Sequence, residues 1–136
     1  MTNLLELLSD ERIDDLWKIY GGAVPDGSRP YALSAIFGQV EPGKFVSSFC
    51  NLGNKSKQTI IRFVRGHYQQ MFNTSNLAEF IQDYADDLNT LPEIVTLLDA
   101  AVSSNYGVNQ INIKTLADSL REAEQEMRII YENKIS

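Results

Sequence analysis

One cysteine and one histidine are all that the chain offers to thiol or imidazole chemistry. Cys50 has no second thiol with which to close an internal disulfide, which fits a reducing, cytoplasmic setting. Cys50 and His67 together fall short of a zinc ligand set, so neither a metal nor a cofactor is expected. No apolar run approaches the roughly 20 residues of a membrane span, which argues against a membrane partner. The opening MTNLLELLSDER lacks a basic leader, and Glu6 interrupts its apolar run. It therefore reads as the start of a helix and not as a secretion signal. GGAVPDGSRP is rich in glycine and proline, but no strand precedes it and no Gly-Lys-Ser or Gly-Lys-Thr follows, so it makes a loop and not a phosphate cradle. Sustained alternation of period two, internal repeats and low-complexity tracts are also missing.

Acid is missing from one place in particular. The chain has 18 acidic against 12 basic residues, a net charge of −6, yet no aspartate or glutamate falls between Pro42 and Ala78. That segment holds Lys44, Lys55, Lys57, Arg62 and Arg65, a local balance of +5, while residues 1–41 sum to −4 and residues 79–136 to −7. Such asymmetry implies one surface able to meet an anionic partner while the rest repels it, or a basic segment that neutralises acidic helices of the same fold.

What is present is helical periodicity. With 136 residues, 43% hydrophobic and 22% charged, the chain is one domain's worth, 1–136, and can bury a core without staples. The expectation is an all-α, compact bundle of about six to seven short helices with a longer C-terminal helix. A first helix over roughly 3–20 puts Ile13, Leu16, Trp17 and Tyr20 on one face and stops at Gly21-Gly22. Leu33, Ile36, Phe37 and Val40 predict a short helix up to a turn at Glu41-Pro42-Gly43, with a hairpin across 32–51 as the alternative. Phe45, Val46 and Phe49 continue as another short helix. Over 56–72, Ile60, Phe63, Val64, His67 and Met71 share an apolar side, and Lys55, Gln58, Arg62, Arg65 and Gln69 share the opposite one. Two capping boxes, Asn76 with Glu79 and Thr90 with Glu93, predict two further helices. Ile113, Leu116, Leu120, Ala123, Met127 and Ile130 form a heptad seam over 113–134 that either zips a homodimer or docks on the domain's own core.

The stretch FCNLGNKSKQTIIRFVRG resembles the helix-turn-helix of Cro and repressor-type regulators, in a candidate spanning 43–72. Cys50 falls where the family wants a small residue, after apolar Phe49. Asn54 falls at the turn position usually held by glycine, where asparagine tolerates the left-handed conformation. Ser56 would cap the recognition helix, with Ile60 and Phe63 as its buried anchors. Gly53 and Lys55 depart from the pattern, standing where it buries apolar side chains. NTSNLAEFIQDYADDL resembles the family's following helix, so the likeness spans roughly residues 33–88. It implies a non-enzymatic regulator of transcription that binds duplex DNA. Lys57, Gln58, Thr59 and Arg62 would face the major groove, where glutamine reads adenine and arginine reads guanine, and Lys55, Lys57, Arg62 and Arg65 would meet phosphates.

Two other readings stand beside it. Arg62 and His67 have the R-x4-H spacing of HEPN-type ribonucleases, small all-α proteins whose histidine moves protons while the arginine holds phosphate. Five residues apart on a regular helix they point about 140° away from each other, so this chemistry needs a distortion at Gly66. Alternatively the chain is an acidic inhibitor or adaptor that covers a basic protein surface, as immunity proteins and phage-encoded blockers do. Asp83, Asp86 and Asp87, or Glu122, Glu124 and Glu126, would then face the partner. The three aspartates could also touch a divalent ion, but a solvated acidic face explains them as well.

Overall fold

The computed structural model describes residues 4–16, 40–72, 77–105 and 110–135. They form a 3-10 turn, Leu4–Leu7, and five α-helices: α1 (Ile13–Leu16), α2 (Pro42–Cys50), α3 (Asn54–Phe72), α4 (Leu77–Ser103) and α5 (Gln110–Ile135). No strand occurs among the described residues. The fold is all-α with long C-terminal helices, as the periodicity requires, and among the described residues the helices of the C-terminal half are longer than expected.

The differences have local causes. The helix anticipated over 3–20 is broken after Leu7, where Ser9 accepts from the Arg12 amide and Asp10 leaves the helical path to meet another segment. Trp17 and Tyr20 lie outside the described residues, as do Asn76 of the first capping box and residues 33–39 of the helix anticipated through Val40. The sequence Glu41-Pro42-Gly43 is not a turn but the start of α2. Proline has no amide to lose at the first helical position, and the Phe45 amide donates to the Glu41 carbonyl. With Pro42–Cys50 helical, a hairpin across 32–51 does not form.

The two helices expected around Thr90 are one. Thr90 does not cap; its hydroxyl donates back to the Asp87 carbonyl, and α4 continues through Pro92. Leu91, Ile94, Leu98 and Ala101 bury a continuous face, and this packing outweighs the roughly 3 kcal/mol that a proline costs inside a helix. A left-handed Asn105, with φ 57°, follows its last turn.

The three long helices wrap one core. Helix α5 runs antiparallel to α4, fixed by an Arg121–Asp99 ion pair at one end and by Tyr84 stacked on Tyr131, centroids 4.7 Å apart, towards the other. It runs parallel to α3, with Asn112 bonded to Asn54 and Arg65 Nε donating to Ser119 Oγ at 3.2 Å. Helix α2 closes the core against the C-terminal half of α4. The heptad seam is taken up inside this bundle: Ile113, Leu116, Leu120, Ala123 and Met127 are all buried. It is therefore not available to zip a homodimer through 113–134, because its own domain already covers it.

Candidate nucleic-acid interface

Helix α3 begins at an unusual junction. The Gly53 amide, just before the helix, donates to Asp10 Oδ1 at 2.9 Å, and the Ser56 hydroxyl bonds the same carboxylate. Two donors at the head of a helix are thus satisfied by a carboxylate 43 residues earlier in the chain. These bonds, aided by the Lys57 charge, hold the Asp10 carboxyl below its ordinary value against the effect of burial. A Cβ on Gly53 would meet both Asp10 oxygens at 3.3 Å, so glycine suits this close approach.

From this start the helix exposes one stripe and buries the other. Ile60, Ile61, Phe63, Val64 and Tyr68 are buried, while Lys55, Gln58, Arg62, Arg65 and Gln69 are exposed and Thr59 is partly so. Lys55, Arg62 and Gln69 recur every seven residues, about 10.5 Å apart along the axis. Thr59 bonds the Lys55 carbonyl at 3.1 Å and accepts from Arg62 Nη2 at 3.5 Å. Arg65, on the edge nearest α5, reaches Ser119. Among the described residues none of Lys55, Arg62 and Arg65 forms an ion pair, whereas Arg12, Lys44, Arg121 and Arg128 each sit beside a carboxylate. Three of the five cations of the basic centre are thus without an ion pair among the described residues, while Lys44 sits beside Glu41.

Lys57 corrects the expectation. It is 0% exposed, and its ammonium donates to the carbonyls of Cys50, at 3.0 Å, and Leu52, at 2.8 Å. It cannot face a groove or a phosphate, because it satisfies the carbonyls at the end of α2 and ties that end to α3. Burial draws its pKa down from the ordinary 10.5, opposed by the charges of Cys50 and Asp10. Cys50 is buried at the same junction, and burial pushes its thiol up.

Four residues of the helix-turn-helix candidate, Phe49, Cys50, Ile60 and Phe63, belong to the core, as any helical packing of this segment would require. Asn54 is not left-handed but opens α3 as a helical residue, Asn105 being the one non-glycine with positive φ among the described residues. Ser56 is not a cap either; it is buried inside the first turn with Asp10.

The acidic trio is also divided. Asp87 is 0% exposed and faces the buried Tyr68, so it cannot steer a protein partner. Burial raises the Tyr68 hydroxyl well above the ordinary 10.0, and the charge and hydrogen bonding of Asp87 raise it further. The side chains of Asp83 and Asp86 lie outside the described set, as does that of His67. Helix α3 passes through Gly66 without a break, leaving Arg62 and His67 about 140° apart around its axis. No group of three His, Cys, Asp or Glu residues is placed to hold a metal ion among the described residues, and no described helix is long and apolar enough to cross a membrane.

Between α3 and α5 runs an open groove of about 510 Å³, floored by Val64, Tyr68 and Ala123 and rimmed by Arg65 and Gln69 on one side and by Glu122 and Glu126 on the other. Glu122 and Glu126, expected only on an acidic face, thus stand beside the basic stripe. No protein-family model matches the chain, and no curated protein or solved structure is significantly similar to it.

Proposed function

We propose that this protein is a non-enzymatic, cytoplasmic DNA-binding regulator that engages the polyanion through the outward face of α3. The supporting observation is the open stripe: Lys55, Arg62 and Arg65 exposed and, among the described residues, unpaired, with Gln58, Thr59 and Gln69 interleaved. Phosphates neutralise the three cations. In the arrangement that the repressor resemblance suggests, α3 lies in the major groove, and Gln58 and Arg62 reach base edges. The acidic remainder of the surface keeps other faces of the chain away from the duplex.

Fluorescence anisotropy with a labelled duplex tests this reading. Three phosphate contacts give a salt slope near −2.7, an affinity loss of about 40-fold between about 50 and 200 mM salt. Arg62→Glu/Arg65→Glu should remove most of the binding and reduce the residual slope to about −1. A variant that keeps its helicity and binds as the parent does would refute the assignment to α3.

A further inference from the structure

We propose that a second copy of this chain docks on the face formed by α3 and α5, as a two-fold dimer in which α3 of each protomer lies over α5 of the other. The parallel course of the two helices puts an unpaired cationic stripe beside an unpaired anionic one. Lys55, Arg62 and Arg65 lie on α3, Glu122 and Glu126 lie on α5, and none of the five is in an ion pair among the described residues. Unlike charges on adjacent ridges make the face complementary to itself, and an isologous interface requires that property.

The geometry selects one pairing. A two-fold axis parallel to the helices lays each cationic ridge on the partner's anionic ridge at the same height. The Arg65–Ser119 contact sets that register within one protomer, so Arg65 meets the partner's α5 near the turn that begins at position 119. A two-fold axis across the helices would set arginine on arginine and glutamate on glutamate, which like-charge repulsion disfavours.

A second, independent feature falls on the same face. Among the described residues the large hydrophobic side chains most open to water are Ile111 at 78% and Ile129 at 46% exposure. They are 18 residues apart on α5, about five turns, and so point the same way, one before and one after the two glutamates. Burial of these ends in a dimer accounts for isoleucine where the rest of the exposed α5 surface is polar.

A face about 28 Å long and two helices wide covers roughly 560 Å² per protomer, about 1,100 Å² in total, at the lower edge of specific interfaces. The dimer is consequently weak and sensitive to salt. It also hides the cations that a polyanion needs, so self-association and nucleic-acid binding exclude one another. This last step alone rests on the DNA-binding reading.

Sedimentation equilibrium of the full chain without nucleic acid tests the pairing. At about 100 μM protein the wild type should be largely dimeric in about 50 mM salt, with association at least about tenfold weaker in about 500 mM salt. Arg62→Glu/Arg65→Glu and Glu122→Lys/Glu126→Lys should each be monomeric alone. Mixed one to one, they should recover a dimer, since both of its contacts then join opposite charges. A monomeric wild type at low salt, or a mixture that stays monomeric, overturns the pairing. Added duplex should convert the wild-type dimer into a monomer–DNA complex; a dimer that binds duplex while intact overturns the mutual exclusion. A wild type that is monomeric and binds duplex leaves the DNA reading standing without the dimer. A dimer whose dissociated monomer ignores duplex does the reverse.

Discussion

Replacing Lys57 by methionine isolates what one buried ammonium does for the junction of α2 and α3. The side chain is fully enclosed, and it donates to the carbonyls of Cys50 and Leu52. Hydrogen bonds from a charged donor contribute about 1.5–3 kcal/mol each, and a buried carbonyl left without its donor costs about 1–3 kcal/mol. Methionine has nearly the same length and is easily buried, which offsets part of this loss and removes the penalty on a desolvated charge. The net expectation is a destabilisation of about 2–4 kcal/mol, a large share of the 5–15 kcal/mol typical of a domain. Urea unfolding followed by helical circular dichroism should give a lower midpoint with an unchanged slope. The pH profile carries a sign. Burial lowers the folded-state pKa below the ordinary 10.5, so the unfolded chain binds more protons in the window between the two values. There the wild type gains stability as pH rises, and Lys57→Met loses that gain. A variant as stable as the parent, with the same alkaline profile, would refute the role given to this ammonium.

Other expectations follow from neighbouring groups. Asp10→Ala should cost about 1 kcal/mol, as loss of a helix cap does, measured by thermal or urea unfolding. Because the Asp10 carboxyl titrates below its ordinary 3.8 in the folded chain, its contribution is present above that value and fades as pH falls through the depressed one; Asp10→Ala should lack this part of the acid transition. Tyr68 should remain protonated well above the ordinary 10.0, visible as a shortfall of phenolate absorbance in the folded protein relative to the unfolded one. Tyr68→Phe, which strips the hydroxyl that faces Asp87, should destabilise by about 1–3 kcal/mol. The Cys50 thiol, enclosed and shifted up, should react with a thiol reagent only on unfolding; rapid labelling of the native protein would contradict its burial.

Much of the bundle was legible because its apolar spacing is regular. Ile60, Phe63 and Val64, and likewise Ile113, Leu116, Leu120 and Met127, lie where a period near 3.6 puts them. The errors came from reading residue type ahead of position. Lys57 stands three and four residues before the buried Ile60 and Ile61, and Asp87 stands between the buried Tyr84 and Leu91 at the same spacing. Each occupies a core position despite its charge. A carbonyl pair five and seven residues before Lys57, across the α2–α3 junction, and a buried tyrosine on another helix from Asp87 make those positions tenable, and neither follows from helical periodicity. Thr90 and Pro92 look like a helix start for an equally local reason, and a continuous apolar face overrode it. The stripe on α3 was readable, but its nearness to Glu122 and Glu126 was not, since the contacts that join α3 to α5 span 54 and 58 residues.

That separation bears on how the chain assembles. The α4–α5 hairpin is tied by a contact across 22 residues, while the Asn112–Asn54 contact spans 58. Loop closure for the second is costlier by about 1 kcal/mol if it must form first, and much cheaper once the hairpin has shortened the path. The proposed binding surface is thus carried on the helix that depends on the remainder of the bundle for its seat.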